Sequence, residues 1–305
     1  MKKLFALVVL ALVMNMCVAG AGERYRIALV CKAMDAEFWL DMRQGGNDAA
    51  KKLGNVDLTV MAPDREVNVQ QQVQLVEDML IQGLDGLVIA PCGSEELKPV
   101  MQKAVDEGVP VMLVDTDANW DAKTAYIGTN NRLGGQMAGE HIAKSLNGKG
   151  TVAFVTGVMG HQTHIDRLAG CKEVLAKYPD IKIVAEQPAN SQRDLAMNVT
   201  ENILTSNPDL DFVFATAATM AMGAYEAINN NRADTKLVGF DADTEVLVLI
   251  RDGKVDSLIA QGPYDMGRIG VESMAKVLQG EKLPKLIDVP TALVTKENVA
   301  DYLKK

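Results

Sequence analysis

From residue 25 onward, short runs of apolar, β-branched residues alternate with longer stretches in which apolar positions recur at helical spacing. RIALV (26–30), DLTVM (57–61), GLVIA (86–90) and PVMLV (110–114) form the first set of runs. The stretches 38–53, 67–82 and 95–107 lie between them and predict amphipathic helices. The spacing matches one strand–helix–strand unit of about 30 residues. The runs are continuously apolar, as parallel strands covered on both faces must be. The grammar restarts after residue 124, with strands predicted at 124–127, 151–155, 181–185, 211–214 and 236–240. Helices are predicted at 131–146, 163–177, 194–206 and 219–230. Turn signals separate them: Asn147-Gly148, Pro179-Asp180, Asn207-Pro208-Asp209 and Asp252-Gly253.

The pattern predicts an α/β protein made of two doubly wound parallel-sheet domains. A strand at 255–261, a helix at 266–279 and a strand-like tail at 286–294 remain after the second module. No Ser/Gly/Pro-rich linker separates the modules, so the chain is expected to cross between them more than once, making a multi-strand hinge. The expected lobes are 24–127 plus 263–289 and 128–262 plus 290–305.

Residues 1–21 differ in kind. Lys2 and Lys3 precede an apolar run over 4–14 that is too short to span a bilayer, and Ala19-Gly20-Ala21 has the small residues of a cleavage site. This predicts a secretory signal peptide and a location outside the cytoplasm. Cys17 offers a lipid anchor as the alternative, but Met16 stands where a small residue is expected before it. The remaining Cys31, Cys92 and Cys171 form no C-x-x-C pair, so no required disulfide is expected.

Composition narrows the function. Asp and Glu number 40 against 31 Lys and Arg, a formal charge of −9 with no basic stretch, which argues against a nucleic-acid partner. The segment after the first strand, CKAMDAEFW, lacks G-x-G-x-x-G. Gly148-Lys149 lacks the earlier glycine of a phosphate loop, since Ala143 stands there, and there is no G-x-S-x-G elbow. His161 and His164 have no cysteine or third histidine at metal-site spacing. The expectation is a protein with no catalytic residues, no metal and no cofactor.

Ligands of open α/β sheets bind beyond the carboxyl ends of the strands. Those ends carry Lys32, Asp35, Phe38, Trp39, Pro91, Cys92, Asp115, Thr116, Asp117, Thr129 and Asn130 in the first module. In the second they carry Gly160, His161, Thr163, His164, Asn190, Ser191, Thr216 to Thr219, Asp241, Asp243 and Gln261. Carboxylates and an amide hold hydroxyls through several hydrogen bonds, and flat rings cover C–H faces. A sugar or polyol has both. Singly, Asp115 or Asp241 reads equally as a helix cap, and Phe38-Trp39 as a helix start packed on its own core.

The chain resembles the periplasmic sugar-binding proteins of ABC importers, of the ribose-, allose- and galactose-binding group. The resemblance rests on KAMDAEFW (32–39), LVDTD (113–117), IGTNNRLGG (127–135), DRLAG (166–170), TMAMGA (219–224), VGFD (238–241) and IAQGP (259–263), in that order. It implies the type I periplasmic binding protein fold. It also implies a periplasmic location, capture of a sugar-like solute by hinge closure, delivery to a permease as a monomer, and no enzymatic activity. Under this resemblance Lys32 reaches a hydroxyl, Phe38 and Trp39 stack on the ring, Asp115 and Asp241 accept from hydroxyls, and Gln261 bonds near the hinge. Arg167 falls at or beside a sugar-binding arginine; Thr129 and His164 complete the expected set. Crossovers are implied near 127–130, 260–263 and 289–292. A sensor presenting the solute to a chemoreceptor or histidine kinase is the alternative role.

Departures from the family pattern bear on the ligand. Ala36 and Glu37 replace the family's usual residues before Phe-Trp, Ala217 and Ala218 replace Asn-Asp, and Ser191 stands where an aromatic is common. A hydroxyl left unpaired costs about 1–3 kcal/mol. The expected ligand is therefore not a common pyranose hexose but something bulkier, less hydroxylated, a furanose or a cyclitol.

Overall fold

The computed structural model describes residues 24–231 and 233–303; the expected signal peptide and Cys17 lie outside them. Two six-stranded sheets are present among the described residues. The first contains β1 (Tyr25–Val30), β2 (Val56–Met61), β3 (Gly86–Ile89), β4 (Val111–Val114), β5 (Ala125–Gly128) and β11 (Leu286–Asp288), in the order β11-β5-β4-β3-β1-β2. The second contains β6 (Lys149–Thr156), β7 (Asp180–Pro188), β8 (Phe212–Ala215), β9 (Lys236–Phe240), β10 (Ser257–Ala260) and β12 (Ala292–Thr295), in the order β12-β10-β9-β8-β6-β7. The orders correspond strand for strand, so β1 to β5 have counterparts in β6 to β10. Pairing is parallel except for β12, which runs antiparallel to β10. The tail read as one strand-like piece is thus two short strands, one in each sheet.

Helices cover both faces of each sheet, giving an α/β fold of the doubly wound type. Alternation along each strand directs successive side chains to opposite layers. In β1, Ile27 and Leu29 meet α1 (Glu37–Leu53) and α9 (Pro263–Leu278), while Ala28 and Val30 meet α2 (Val69–Ile81) and α3 (Lys98–Asp106). In the second sheet Phe154, Phe214 and Phe240 pack under α4 (Asn131–Ser145) and α5 (Gln162–Leu175). Val155, Val213 and Leu258 pack under α6 (Arg193–Ser206), α7 (Ala218–Asn230) and α8 (Thr244–Arg251). The chain ends with α10 (Val299–Tyr302).

Glycine sets the approach of α4 to α5. A β-carbon on Gly135 would overlap the Arg167 carbonyl, and one on Gly170 would overlap that of Arg132. This close crossing fixes the stretch of α5 that carries His164 and Arg167. The α8 segment, TEVLVLIR, is not predicted as a helix, because its apolar run imitates a strand. Val246, Leu247 and Ile250 bury one helical stripe instead.

The chain passes from one sheet to the other after β5, returns after β10 and crosses again after β11. Cys31, Cys92 and Cys171 are free and buried. No helix among the described residues is long and apolar enough to cross a membrane.

Candidate ligand-binding cleft

Beyond β4 the backbone turns at Asp115 with φ 61°, and beyond the equivalent β9 it turns at Asp241 with φ 71°. This left-handed region is uncommon for residues other than glycine and is one that Asp tolerates better than most. The turn is secured identically on both sides. The Asp115 N–H donates to the Ile127 carbonyl of β5 (3.0 Å), and the Asp241 N–H donates to the Ile259 carbonyl of β10 (2.8 Å). Both carboxyls project into one cavity between the sheets, 3% and 6% exposed.

Lys32, Phe38, Trp39, His164, Arg167 and Gln261 line the same cavity, so eight of the nine expected residues converge. Thr129 does not line it. It is buried, its hydroxyl donates to the Val289 carbonyl (3.5 Å), and its own carbonyl accepts from Tyr126 Oη (3.2 Å). Its polar atoms are spent between the crossing strands, which makes it a hinge residue by position.

The first wall is rigidly held. Lys32 Nζ lies 3.3 Å from Asp115 Oδ2 and 5.8 Å from the centre of the Trp39 ring. Thr116 Oγ1 donates to Asp115 Oδ2 (2.7 Å). Phe38 and Trp39 meet edge to face at 4.9 Å, and Trp39 Nε1 donates to Glu66 Oε1 (3.2 Å). On the second wall Gln261 Nε2 donates to Asp241 Oδ1, and the Ala218 N–H reaches Asp241 Oδ2 at 3.4 Å. Arg167 donates to Asn131 Oδ1 (2.9 Å) and the Thr216 carbonyl (2.7 Å), and its guanidinium carbon lies over the Phe240 ring, 3.7 Å from the centre. Gln261 Oε1 is buried with no hydrogen-bond partner, an acceptor left for a donor from the cavity.

Charge is uneven. Burial raises the Asp241 carboxyl above the ordinary carboxylate range, against the pull of Arg167 and Gln261. Burial, with Asp241 and then Glu37, Asp41 and Glu245 nearby, pushes Asp243 up to about 8. Burial also raises Glu66. His161 is driven down to about 2, first by burial and then by the Lys32 charge, and His164 falls well below its usual value for the same leading reason.

Glu66, which lines the same cavity, carries no local mark of this role in the sequence. Its context, APDRE after β2, reads as an exposed charged turn, but the strand-end rule applied to β2 would have flagged it. Thr163, Ser191 and Asp243 also line the cavity. Ala217 and Ala218 line it too, at the positions where the resemblance leads one to expect an amide and a carboxylate.

The lobes touch across the cleft. Ser191 Oγ donates to Glu66 Oε2 (2.8 Å), Arg65 Nη1 to Gln192 Oε1 (3.3 Å), and the Thr244 N–H and hydroxyl both donate to Glu37 (2.8 and 2.6 Å). The inner cavity retains about 40 Å³, room for little more than a water or two. At its mouth lies a second cavity of about 460 Å³ that shares six lining residues with it, among them Glu66, Ser191 and Asp243.

The model of the periplasmic binding protein domain matches residues 27–282. The ribose import binding protein of Escherichia coli is 32% identical over 97% of this chain and 99% of its own length. The D-allose-binding periplasmic protein of the same organism is 31% identical, over 91% of this chain and 93% of its own length. A solute-binding protein of an Actinobacillus succinogenes ABC transporter, solved with bound D-allose, superposes with a TM-score of 0.84 at 32% identity. That match covers 92% of this chain and all of the other.

Proposed function

The chain belongs to the periplasmic binding protein domain family, and from that premise we propose that it captures a sugar or polyol between its lobes and hands it to an ABC importer. The observation that carries this reading is the pair of left-handed aspartates at equivalent strand ends, facing one cavity from both sheets. A solute held this way presents hydroxyls to Asp115, Asp241, Gln261 and Arg167, and a C–H face to Phe38 and Trp39. The D-allose bound by the Actinobacillus relative is a solute of this chemistry.

The mechanism is closure. An inner cavity of about 40 Å³ admits no sugar while the lobes are together, so the lobes part at the three crossing segments, the solute settles on one wall and the other folds over it. Closure is driven only by contacts that exist in the closed state. The protein does no chemistry on the solute. The closed form, a monomer, presents the outer faces of both lobes to a permease in the membrane, after export directed by residues 1–21.

Ala217 and Ala218 offer no side-chain hydrogen bonds, while the mouth adds volume beyond the inner cavity. The preferred solute is therefore bulkier than a pyranose hexose, or lacks hydroxyls on the side facing α7, or is a furanose or cyclitol. The test is native mass spectrometry of whatever co-purifies, followed by calorimetry of stripped protein with pentoses, hexoses and inositols. Binding of one polyol with at least tenfold loss in both Asp115→Ala and Asp241→Ala is expected. Binding that ignores both substitutions would remove this cleft from the function. Sub-micromolar affinity for glucose or allose would overturn the ligand preference.

A further inference from the structure

His161 is 3% exposed, and neither of its buried ring nitrogens makes a hydrogen bond of good geometry, although the Cys92 backbone lies close enough to favour its charged form. Such orphans are rare because burial without a partner is costly, and each invites an explanation. His161 Nδ1 faces Glu66 Oε2 at 3.6 Å, too far for a hydrogen bond. The His164 ring lies nearly parallel, tilted by 12° with its centre 6.0 Å away. One nitrogen of each histidine and one oxygen of Glu66 all lie within 4.8 Å of one another. His164 is oriented by Thr216, whose Oγ1 sits 2.9 Å from Nδ1, and seated by Gly157, where a β-carbon would overlap its ring.

We propose that Glu66, His161 and His164 form a divalent transition-metal site that bridges the two lobes in the closed cleft. Zinc and its neighbours bind neutral imidazole and carboxylate at about 2.0–2.2 Å. Tetrahedral geometry then sets ligand atoms about 3.3 Å apart, so the His161–Glu66 pair at 3.6 Å is nearly in place, and His164 closes the remainder by a ring shift of up to about 1.5 Å. Two nitrogens and one oxygen suit zinc, nickel or cobalt, not magnesium or calcium, which take oxygen ligands. Thr216 is the outer partner that holds a metal-bound imidazole in orientation. Three protein ligands leave a fourth position for water or a solute hydroxyl, since Glu66 and His164 also line the inner cavity. Lys32 opposes a second cation here, but its charge is balanced by Asp115 at 3.3 Å.

Glu66 lies beyond β2 of the first sheet, whereas the two histidines open α5 of the second. The site is therefore complete only when the lobes meet, and a bound metal favours closure with no solute present. The metal site does not depend on which solute the cleft takes.

The test is calorimetric titration of chelator-stripped protein with zinc chloride and, separately, magnesium chloride, alongside small-angle X-ray scattering with and without zinc. Expected are one zinc per chain, no magnesium binding and a smaller radius of gyration with zinc. At least tenfold weaker zinc binding is expected in each of His161→Gln, His164→Gln and Glu66→Gln, with the metal-free melting transition checked in each variant. Absence of zinc binding, or wild-type affinity in His161→Gln, would overturn the site. Affinity lost in the histidine variants but retained in Glu66→Gln would mean a histidine pair on one lobe and would overturn the bridge.

Discussion

Where β4 ends, Asp115 enters the cleft beside a buried ammonium; where the equivalent β9 ends, Asp241 enters it beside a neutral amide. Backbone turn, left-handed φ and the hydrogen bond into the next strand are the same on both sides. Counter-charge differs: Lys32 lies 3.3 Å from Asp115, whereas the buried Arg167 guanidinium pulls on Asp241 without bonding to it, its own bonds going to Asn131 and Thr216. Lys32 completes the first wall before any solute arrives, with Trp39 packed against it. The second wall leaves Asp241 raised by burial, Gln261 Oε1 without a donor, and Asp243 among other acids. One lobe is thus a finished receiving surface. The other is a set of acceptors that a solute's hydroxyls must satisfy, which gives closure its dependence on ligand.

The largest effect comes from neutralising each aspartate in turn. Asp115→Asn strands Lys32, 2% exposed, as a buried charge without its partner, and breaking such a pair costs about 3–5 kcal/mol. Asp241→Asn breaks no direct ion pair, because the buried Arg167 guanidinium that attracts Asp241 is bonded to Asn131 and the Thr216 carbonyl; it keeps an acceptor for Gln261 and is expected to cost less, about 1–3 kcal/mol. Urea unfolding of ligand-free protein at pH 7 separates the two. Adding Lys32→Met to Asp115→Asn should recover most of the loss. Equal losses for the two single variants would show that the two walls hold their aspartates alike.

The next effect is pH dependence, and it belongs to the second wall. Asp243 is pushed up to about 8, so the folded chain keeps a proton that the unfolded chain gives up near pH 4. Its contribution is therefore fully present at low pH and is lost as pH rises toward 8. Between pH 6 and pH 8 the loss is about 2 kcal/mol, from a slope of about 1.36 kcal/mol per pH unit that flattens near the folded-state value. Melting temperature measured across that range should fall more steeply in the wild type than in Asp243→Asn. Parallel slopes would show that Asp243 is ionised and solvated, not held by its acidic neighbours.

The sheets were legible because buried parallel strands write continuous apolar runs. The convergence of eight residues on one cavity was legible because ligands of such sheets sit at the strands' carboxyl ends, which singles out the residues next in the chain. Thr129 obeyed that rule and still lies outside the cavity, because its hydroxyl turns to Val289, a partner 160 residues away that no local pattern reveals. Glu66 was hidden for the converse reason: in sequence it is one charge in a charged turn, and only the meeting of the lobes places Ser191 and His161 beside it. The tail over 286–294 reads as one β-like stretch, yet sheet membership changes within it, and which sheet a strand joins is decided by tertiary pairing.

The smallest effect concerns the seam between the walls, and it revises the meaning of Glu37. In the sequence this residue marks a departure from the family motif before Phe38-Trp39. In the structure its carboxylate accepts from the N–H and hydroxyl of Thr244, the first residue of α8 on the opposite lobe. Asp243, the residue at that helix's own cap position, makes no capping bond. Glu37 thus caps α8 from across the cleft and sits at the positive end of its dipole, an arrangement that exists only when the lobes are closed. The pair is solvent-accessible, so the expected contribution is about 0.5–1 kcal/mol. Glu37→Ala should therefore leave the unfolding of ligand-free protein nearly unchanged and speed release of the bound solute about two- to fivefold, read by stopped-flow tryptophan fluorescence. Glu37→Gln, which keeps an acceptor but loses the charge, should fall between. Release at the wild-type rate in both variants would show that the second lobe closes on the solute alone and that the seam adds nothing to the difference between the walls.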